Sequence, residues 1–231
     1  TGELSTALEQ IRNRDVTGLI LDLRGCPGGL LTTAVEACDL FLEQGRIVST
    51  RERDQVRDVS DASPGTEFPL DLPMVVLIDR NSASAAEIVA ACLKDQQRAA
   101  VCGQRSWGKG SVQNIIELDD GRSALKLTTA TYFRPNGKNI HRAIRDYEEE
   151  DSEEWGVKPS EGLRVSMPDE QLAAVFQARR TRDVVTNRTV KPSSETPGQA
   201  AEEPVVDLQL QKAVEFLRKA VKTYPGKARK A

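Results

Sequence analysis

The residues best suited to chemistry are Ser84 and Lys109, which stand 25 positions apart. Ser84 follows an apolar, strand-like run at 74–78 and precedes a helical pattern. A serine at that place can act as a nucleophile, because the N–H of Ala85 and the positive end of the helix point at a developing oxyanion. It can equally cap the helix, since Ser84-x-x-Glu87 has the capping-box pattern. The residues alone leave both roles open.

A nucleophilic serine needs a base, and the sequence offers two candidates. His141 is the single histidine and lies in a polar segment, which is typical of a solvent-facing residue rather than of a Ser-His-Asp triad. A lysine acts as a base near neutrality only if desolvation lowers its pKa from about 10.4 to roughly 7–8, which requires enclosure by apolar groups. Lys109 lies in a glycine-rich loop beside Trp107, and Gln113 can hold its amine without adding charge. Lys109 is therefore the candidate base, although these residues taken alone define only a glycine-rich loop.

The same glycine-rich segment matches a phosphate-binding loop only in part. Gly103-x₄-Gly108-Lys109 is followed by Gly110, where a magnesium-binding Ser or Thr is needed. The loop also leads into a predicted hairpin strand rather than a helix. Both features argue against nucleotide binding.

Composition excludes several further classes of function. The 231 residues carry a net charge of −3, which argues against a dedicated nucleic-acid-binding protein. No run approaches the roughly 20 apolar residues of a membrane-spanning helix. The four cysteines form no C-x-x-C pair and the chain has a single histidine, so we expect no zinc site. We expect Cys38, Cys92 and Cys102 to be buried free thiols, with disulfides left open.

The elements alternate between strand and helix, which predicts an α/β fold with a parallel or mixed sheet. The patterns give a helix at 3–13, strand 18–23, a glycine-rich loop at 24–29, helix 30–45, strand 47–53, a polar surface segment at 54–73, strand 74–78, helix 85–94 and strand 98–103. From Ser111 the pattern becomes that of a hairpin, with a turn at 119–121. Residues 155–165 return to a strand-like pattern.

Three regions follow from these patterns. Residues 1–177 form the predicted core, and 178–204 form a linker with few large apolar residues. Residues 205–231 form an amphipathic helix with a basic tail. The apolar face of that helix packs on the core or contacts a second copy in a homo-oligomer; its members are Leu210, Ala213, Val214, Leu217 and Val221.

Three motifs together resemble the carboxyl-terminal processing peptidases, also called tail-specific proteases. The motifs are Asp22-Leu23-Arg24-x-x-Pro27-Gly28-Gly29, then Ser84-Ala85-x-Glu87, then Gly108-Lys109-Gly110-x-Val112-Gln113. The resemblance covers about residues 1–165 and extends to the final helix, where residues 207–213 are similar to those of family members. It implies a fold similar to the Clp-protease/crotonase core.

The resemblance also implies a mechanism, that of a serine endopeptidase with a Ser-Lys dyad and an acyl-enzyme intermediate. Ser84 is then the nucleophile, Lys109 the general base and Gln113 the residue that positions the lysine. The N–H groups of Ala85 and Gly29 form the implied oxyanion hole, with Gly28 as the substitute for Gly29. The implied substrates are polypeptides cut near apolar C-termini, with no metal, cofactor or nucleic acid involved.

The sequence departs from the family pattern in several places. Members usually carry a PDZ domain and a further strand ahead of the first helix, so we expect this chain to be a catalytic-core fragment. Gln104 stands where Glu is usual and Cys26 where Asn is usual; both positions lie outside the dyad. Kinship further implies an exported, periplasmic or membrane-associated bacterial protein.

Two other hypotheses compete with the peptidase. The first is a non-catalytic binding or scaffold module that keeps the fold, in which Ser84 only caps a helix and Lys109 is charged in water. The second is an acyl-CoA enzyme on a crotonase-like fold, which uses the Gly29 loop for a thioester but leaves Lys109 and Gln113 without a role.

Overall fold

The structure is a computed structural model that describes residues 1–12, 14, 16–53, 55–142, 155–183 and 205–223. The helices are α1 (Gly2–Arg12), α2 (Leu31–Asp39), α3 (Ala85–Asp95), α4 (Asp169–Asp183) and α5 (Leu208–Thr223). The strands are β1 (Leu19–Asp22), β2 (Arg46–Glu52), β3 (Gln55–Asp61), β4 (Met74–Ile78), β5 (Ala100–Gly103), β6 (Ser111–Leu118) and β7 (Ser123–Phe133).

Strands β1, β4 and β5 form a parallel sheet in the order β1-β4-β5. The central strand β4 is buried throughout, as expected for five consecutive apolar residues covered on both faces. Helices α2 and α3 contribute to the main core, which includes Met74, Val76 and Ile78 of β4. Ala213 of α5 joins Val75 and Leu77 in a second core on the opposite face. The parallel sheet is therefore the middle layer of three.

A second sheet is antiparallel and has the order β3-β2-β7-β6. The hairpin β6–β7 turns through a short 3₁₀ segment at Asp119–Gly121, as the sequence predicts. Most of β6 is exposed, and its first residue, Ser111, lies two positions after Lys109. The glycine-rich loop that contains Lys109 therefore lies at the base of this hairpin.

The α/β fold class is confirmed, with the parallel and antiparallel strands in two sheets. The predicted helix 30–45 is too long, because α2 ends at Asp39. The carbonyl of Leu40 accepts hydrogen bonds from the N–H groups of Glu67 and Phe68 rather than continuing the helix. Phe41, which is fully buried, packs edge-on against Phe68 instead. The apolar residues beyond Asp39 thus enter the core through a turn.

Two other local predictions need correction. The segment 54–73 is not all irregular surface, since β3 pairs with β2 along Gln55–Asp61 as a largely exposed edge strand. Its polar residues lack the pattern of a buried strand, and β3 is stabilised by its pairing with β2. The strand-like 155–165 segment makes only one isolated bridge, between Arg164 and Gly103.

The predicted linker begins within a helix. Helix α4 extends to Asp183, so the first six residues of 178–204 are helical. Residues 184–204 of that linker and the basic tail after residue 223 lie outside the described residues. The division of the chain into core, linker and terminal helix stays a prediction.

The cysteines are free, and three of them are buried as predicted. Contact with Cys92 and burial raise the pKa of Cys38, and burial raises the pKa of Cys102 to about 11. These thiols are therefore protonated and inert at neutral pH. Among the described helices, none is both long and apolar enough to cross a bilayer. The described residues also contain no cluster of three or more potential metal ligands.

Candidate active site

Ser84 occupies a sharp turn between strand β4 and helix α3. Its backbone has φ 57° and ψ −118°, a left-handed conformation that costs a non-glycine residue about 1–3 kcal/mol. A strained serine between a strand and a helix is the arrangement of the nucleophile elbow in α/β-hydrolases, where it exposes the hydroxyl at the helix N-terminus. The local geometry of Ser84 therefore suits a nucleophile.

Glu87 lies in the first turn of α3 and is fully buried. Its Oε1 accepts hydrogen bonds from the Ser106 hydroxyl at 2.5 Å and from the Gly108 N–H at 2.6 Å. Its Oε2 accepts from the N–H groups of Ser84 and Lys109, both at 2.8 Å. Burial raises the pKa of Glu87, and these hydrogen bonds oppose the rise. One carboxylate oxygen thus binds the main chains of Ser84 and Lys109 together.

The glycine loop at 25–29 packs directly against the Ser84 turn. Gly28 has φ +99°, and a Cβ there would lie 2.6 Å from the carbonyl oxygen of Ala83 and 2.8 Å from the nitrogen of Ala85. At Gly29 a Cβ would meet nothing within 4 Å. The loop therefore approaches the N–H of Ala85 so closely that only glycine fits at position 28, while Gly29 faces open space.

Asp79 joins this loop to the Ser84 turn. It is fully buried at the end of β4, and its Oδ1 accepts from the Gly25 N–H at 3.0 Å and from the Asn81 N–H at 2.9 Å. The Ser82 hydroxyl donates to the same oxygen at 3.2 Å. One buried carboxylate oxygen therefore links the start of the glycine loop to the turn before Ser84.

Lys109 and Gln113 lie at the base of the hairpin, and both side chains are exposed. The main chain of Lys109 is bound to Glu87, but among the residues described here no hydrogen bond joins its amine to Ser84 or Gln113. The expected apolar enclosure of Lys109 is wrong for this structure, since Trp107 is 58% exposed. The physical reason is that the loop emerges at the open edge of the antiparallel sheet.

The remaining sequence candidates lie near the site without joining it. His141 is exposed, and the next residue, Arg142, donates its N–H to the carbonyl of Gly108 at 2.8 Å. Gln104 donates its N–H to Ile78 at 3.1 Å, and Cys26 is a partly buried free thiol. None of these three side chains has a described contact with Ser84.

Sequence reasoning treated Glu87 only as half of a capping box and gave no role to Asp79. A signal for Glu87 was available: it is the single charged residue near the start of an otherwise apolar helix, and such a residue is buried only with partners. No local signal marks the contact of Asp79 with the Gly25 N–H, because Gly25 lies more than 50 residues away in the chain.

This fold and site can be compared with known proteins. The family described as peptidase family S41 matches residues 1–149. The chain therefore belongs to peptidase family S41.

The chain is 47% identical over 144 residues to the carboxy-terminal-processing protease of Bartonella bacilliformis, covering 60% of this chain and 32% of that protein. It is 33% identical over 180 residues to the carboxy-terminal processing protease CtpA of Bacillus subtilis, covering 78% and 35%. A solved photosystem II D1 C-terminal processing protease aligns with a TM-score of 0.61 and 30% identity over 71% of this chain and 38% of the other. The chain thus spans about a third of the length of these relatives.

Proposed function

We propose that the chain is the catalytic part of a serine endopeptidase that cuts polypeptides near apolar C-termini through a Ser84–Lys109 dyad. The observation that carries this proposal is the shared Glu87 oxygen, which binds the N–H groups of Ser84 and Lys109 at 2.8 Å each. The names of the relatives, which are C-terminal processing proteases, support the same reaction.

The reaction proceeds by acylation and hydrolysis. Neutral Lys109 takes the proton of the Ser84 hydroxyl as its oxygen attacks the scissile carbonyl carbon, and the ammonium then donates a proton to the leaving amine. The N–H groups of Ala85 and Gly29, or of Gly28, stabilise the oxyanion. Water, deprotonated by the same amine, attacks the resulting ester and releases Ser84. Gln113 positions the amine of Lys109.

Bound polypeptide supplies the cover that Lys109 lacks. The lysine must lose its proton near neutral pH, and an apolar chain lying over the exposed loop desolvates the ammonium and favours the neutral form. Apolar substrate ends fit this requirement better than charged ones. The open space at Gly29 leaves room for the scissile carbonyl.

The exposed Lys109 side chain also favours the alternative function, a scaffold module with the same fold. In that module Ser84 is a helix cap and the lysine remains charged in water. The exported bacterial location implied by kinship stays a prediction for either function.

Cleavage of an unstructured protein with an apolar C-terminus distinguishes the peptidase from the scaffold module. We expect Ser84→Ala and Lys109→Ala to reduce the wild-type rate by about 10³-fold or more, since each removes one half of a cooperative unit. His141→Ala is the matched control and should stay within about twofold, because a solvent-facing histidine has no part in the reaction. Rates are followed on gels from about pH 6 to 10.

Equal cleavage by Ser84→Ala and the wild type would contradict the proposal. A loss of activity in His141→Ala equal to that in Lys109→Ala would replace lysine by histidine as the base.

A further inference from the structure

Arg24 stands directly before the glycine loop, and its side chain is 1% exposed. It donates two hydrogen bonds to Asp22, at 3.0 Å from Nε and 2.8 Å from Nη2. It donates two more to Asp207, at 2.8 Å from both Nη1 and Nη2. Bidentate pairs of this kind are stronger and geometrically more specific than single hydrogen bonds. The start of the loop is thus held between two carboxylates.

Asp207 belongs to the start of helix α5, 183 residues along the chain from Arg24. Its Oδ1 also accepts the N–H of Leu210 at 3.0 Å, as a helix-capping carboxylate does. Gln209, which is fully buried, accepts from Arg24 at 3.2 Å and donates to the carbonyl of Val165 at 3.0 Å. The carboxylate of Asp207 therefore caps the N-terminus of α5 and also binds the guanidinium of Arg24.

A second C-terminal helix supports the same loop. The ring of Phe176 on α4 lies so close to Gly25 that a Cβ there would come within 2.8 Å of it. Nη1 of Arg179, also on α4, lies 3.2 Å from Oδ2 of Asp22. Both helices lie beyond the residues matched to the family, 1–149.

We propose that Asp207 is a positioning residue for the glycine loop, residues 25–29, which would supply one N–H of the proposed oxyanion hole. It fixes Arg24, and through it the backbone of residues 25–29, against the N–H of Ala85. Without the carboxylate of Asp207, Arg24 keeps Asp22 but loses its anionic partner on the side of α5, and the loop gains freedom. The catalytic consequence rests on the proposed peptidase function, whereas the structural consequence does not.

Asp207→Asn tests this proposal, because Asn caps a helix as well as Asp does but carries no charge for Arg24. Glu215→Gln is the matched control, since it breaks an exposed ion pair with Lys219 on the same helix. Two quantities are measured in the whole chain. They are the hydrogen-exchange rates of the amides of Gly25, Cys26, Gly28 and Gly29, and the rate at which a fluorophosphonate labels Ser84.

We expect the four loop amides of Asp207→Asn to exchange about tenfold faster or more, with the hairpin unchanged. We expect labelling of Ser84 to slow by about 10- to 100-fold, because small misplacements of donors cost rate steeply. Glu215→Gln should stay within about twofold of the wild type in both measurements.

Faster exchange in α5 but not in the loop would overturn the proposal, because Asp207 would then only anchor its own helix. Unchanged exchange everywhere would overturn it too. If the wild type is not labelled at all, the peptidase function fails, and the exchange rates of the loop still decide the role of Asp207.

Discussion

The residues around Ser84 show how a strained turn is kept in place. Glu87 and Asp79 are both fully buried. Both oxygens of Glu87 and Oδ1 of Asp79 accept hydrogen bonds from main-chain N–H and hydroxyl donors of the site. For Glu87 the burial outweighs the donors, since its pKa is raised. Such groups persist where their donors are fixed by the fold. The strain at Ser84 is therefore supported by its surroundings, as is typical of functional sites.

Gly28 and Gly29 are predicted to respond very differently to an added methyl group. Gly28→Ala places a Cβ 2.6 Å from a carbonyl oxygen and forces an alanine to φ +99°, so we expect a loss of about 1–3 kcal/mol in the free energy of unfolding. Gly29→Ala meets nothing within 4 Å and should change it by less than about 0.5 kcal/mol. Urea unfolding followed by circular dichroism measures both. Equal losses in the two variants would mean that the loop does not pack against Ala85 as described.

Among the elements, α5 contacts the residue before the glycine loop from 183 positions further along the chain. It buries Ala213 against the outer face of the parallel sheet and joins the loop before α2 through Asp207 and Arg24. Leu210, Ala213 and Leu217 of the predicted apolar face therefore pack within the chain. Its contact with a second copy stays a prediction.

The contribution of Asp207 to stability should depend on pH. Burial acts to raise the pKa of Asp207, but hydrogen bonds from Arg24 and from the Leu210 N–H hold it below its ordinary value. A lowered folded-state pKa stabilises the fold above the unfolded value of about 3.9, and the effect is lost as the pH falls through the folded value. We expect the unfolding free-energy difference between wild type and Asp207→Asn to be constant at about pH 5 to 7 and to shrink below about pH 4. A difference that grows on acidification would contradict the ion pair.

Elements with strong local patterns could be predicted from the sequence, and those stabilised by distant partners could not. Five apolar residues predict β4, and the pattern that follows Ser84 predicts α3. The end of α2 at Asp39 depends on where the N–H groups of residues 67 and 68 lie, and β3 depends on pairing with β2. The proximity of Ser84 and Lys109 was expected only from the resemblance of the motifs to a known family. The Glu87 contact that accounts for it is visible only in the structure.

For the whole molecule, the residues that match the family are fewer than the residues that support the candidate site. The match ends at residue 149, yet α4 and α5 support the loop next to Ser84. The aligned part of the chain covers about a third of the length of these relatives, and its Lys109 is exposed. We infer that this chain builds the strained turn and the glycine loop, and that cover for Lys109 comes from what binds over it.

Covalent labelling of Ser84 tests the central claim most directly. The chain is treated with a fluorophosphonate across about pH 6 to 10, and the modified residue is located by mass spectrometry. We predict a single adduct on Ser84 that forms faster as the pH rises through the titration of its base and that is absent in Lys109→Ala. A wild-type chain with no adduct on Ser84, or with one that forms equally fast in Lys109→Ala, would contradict the Ser-Lys dyad.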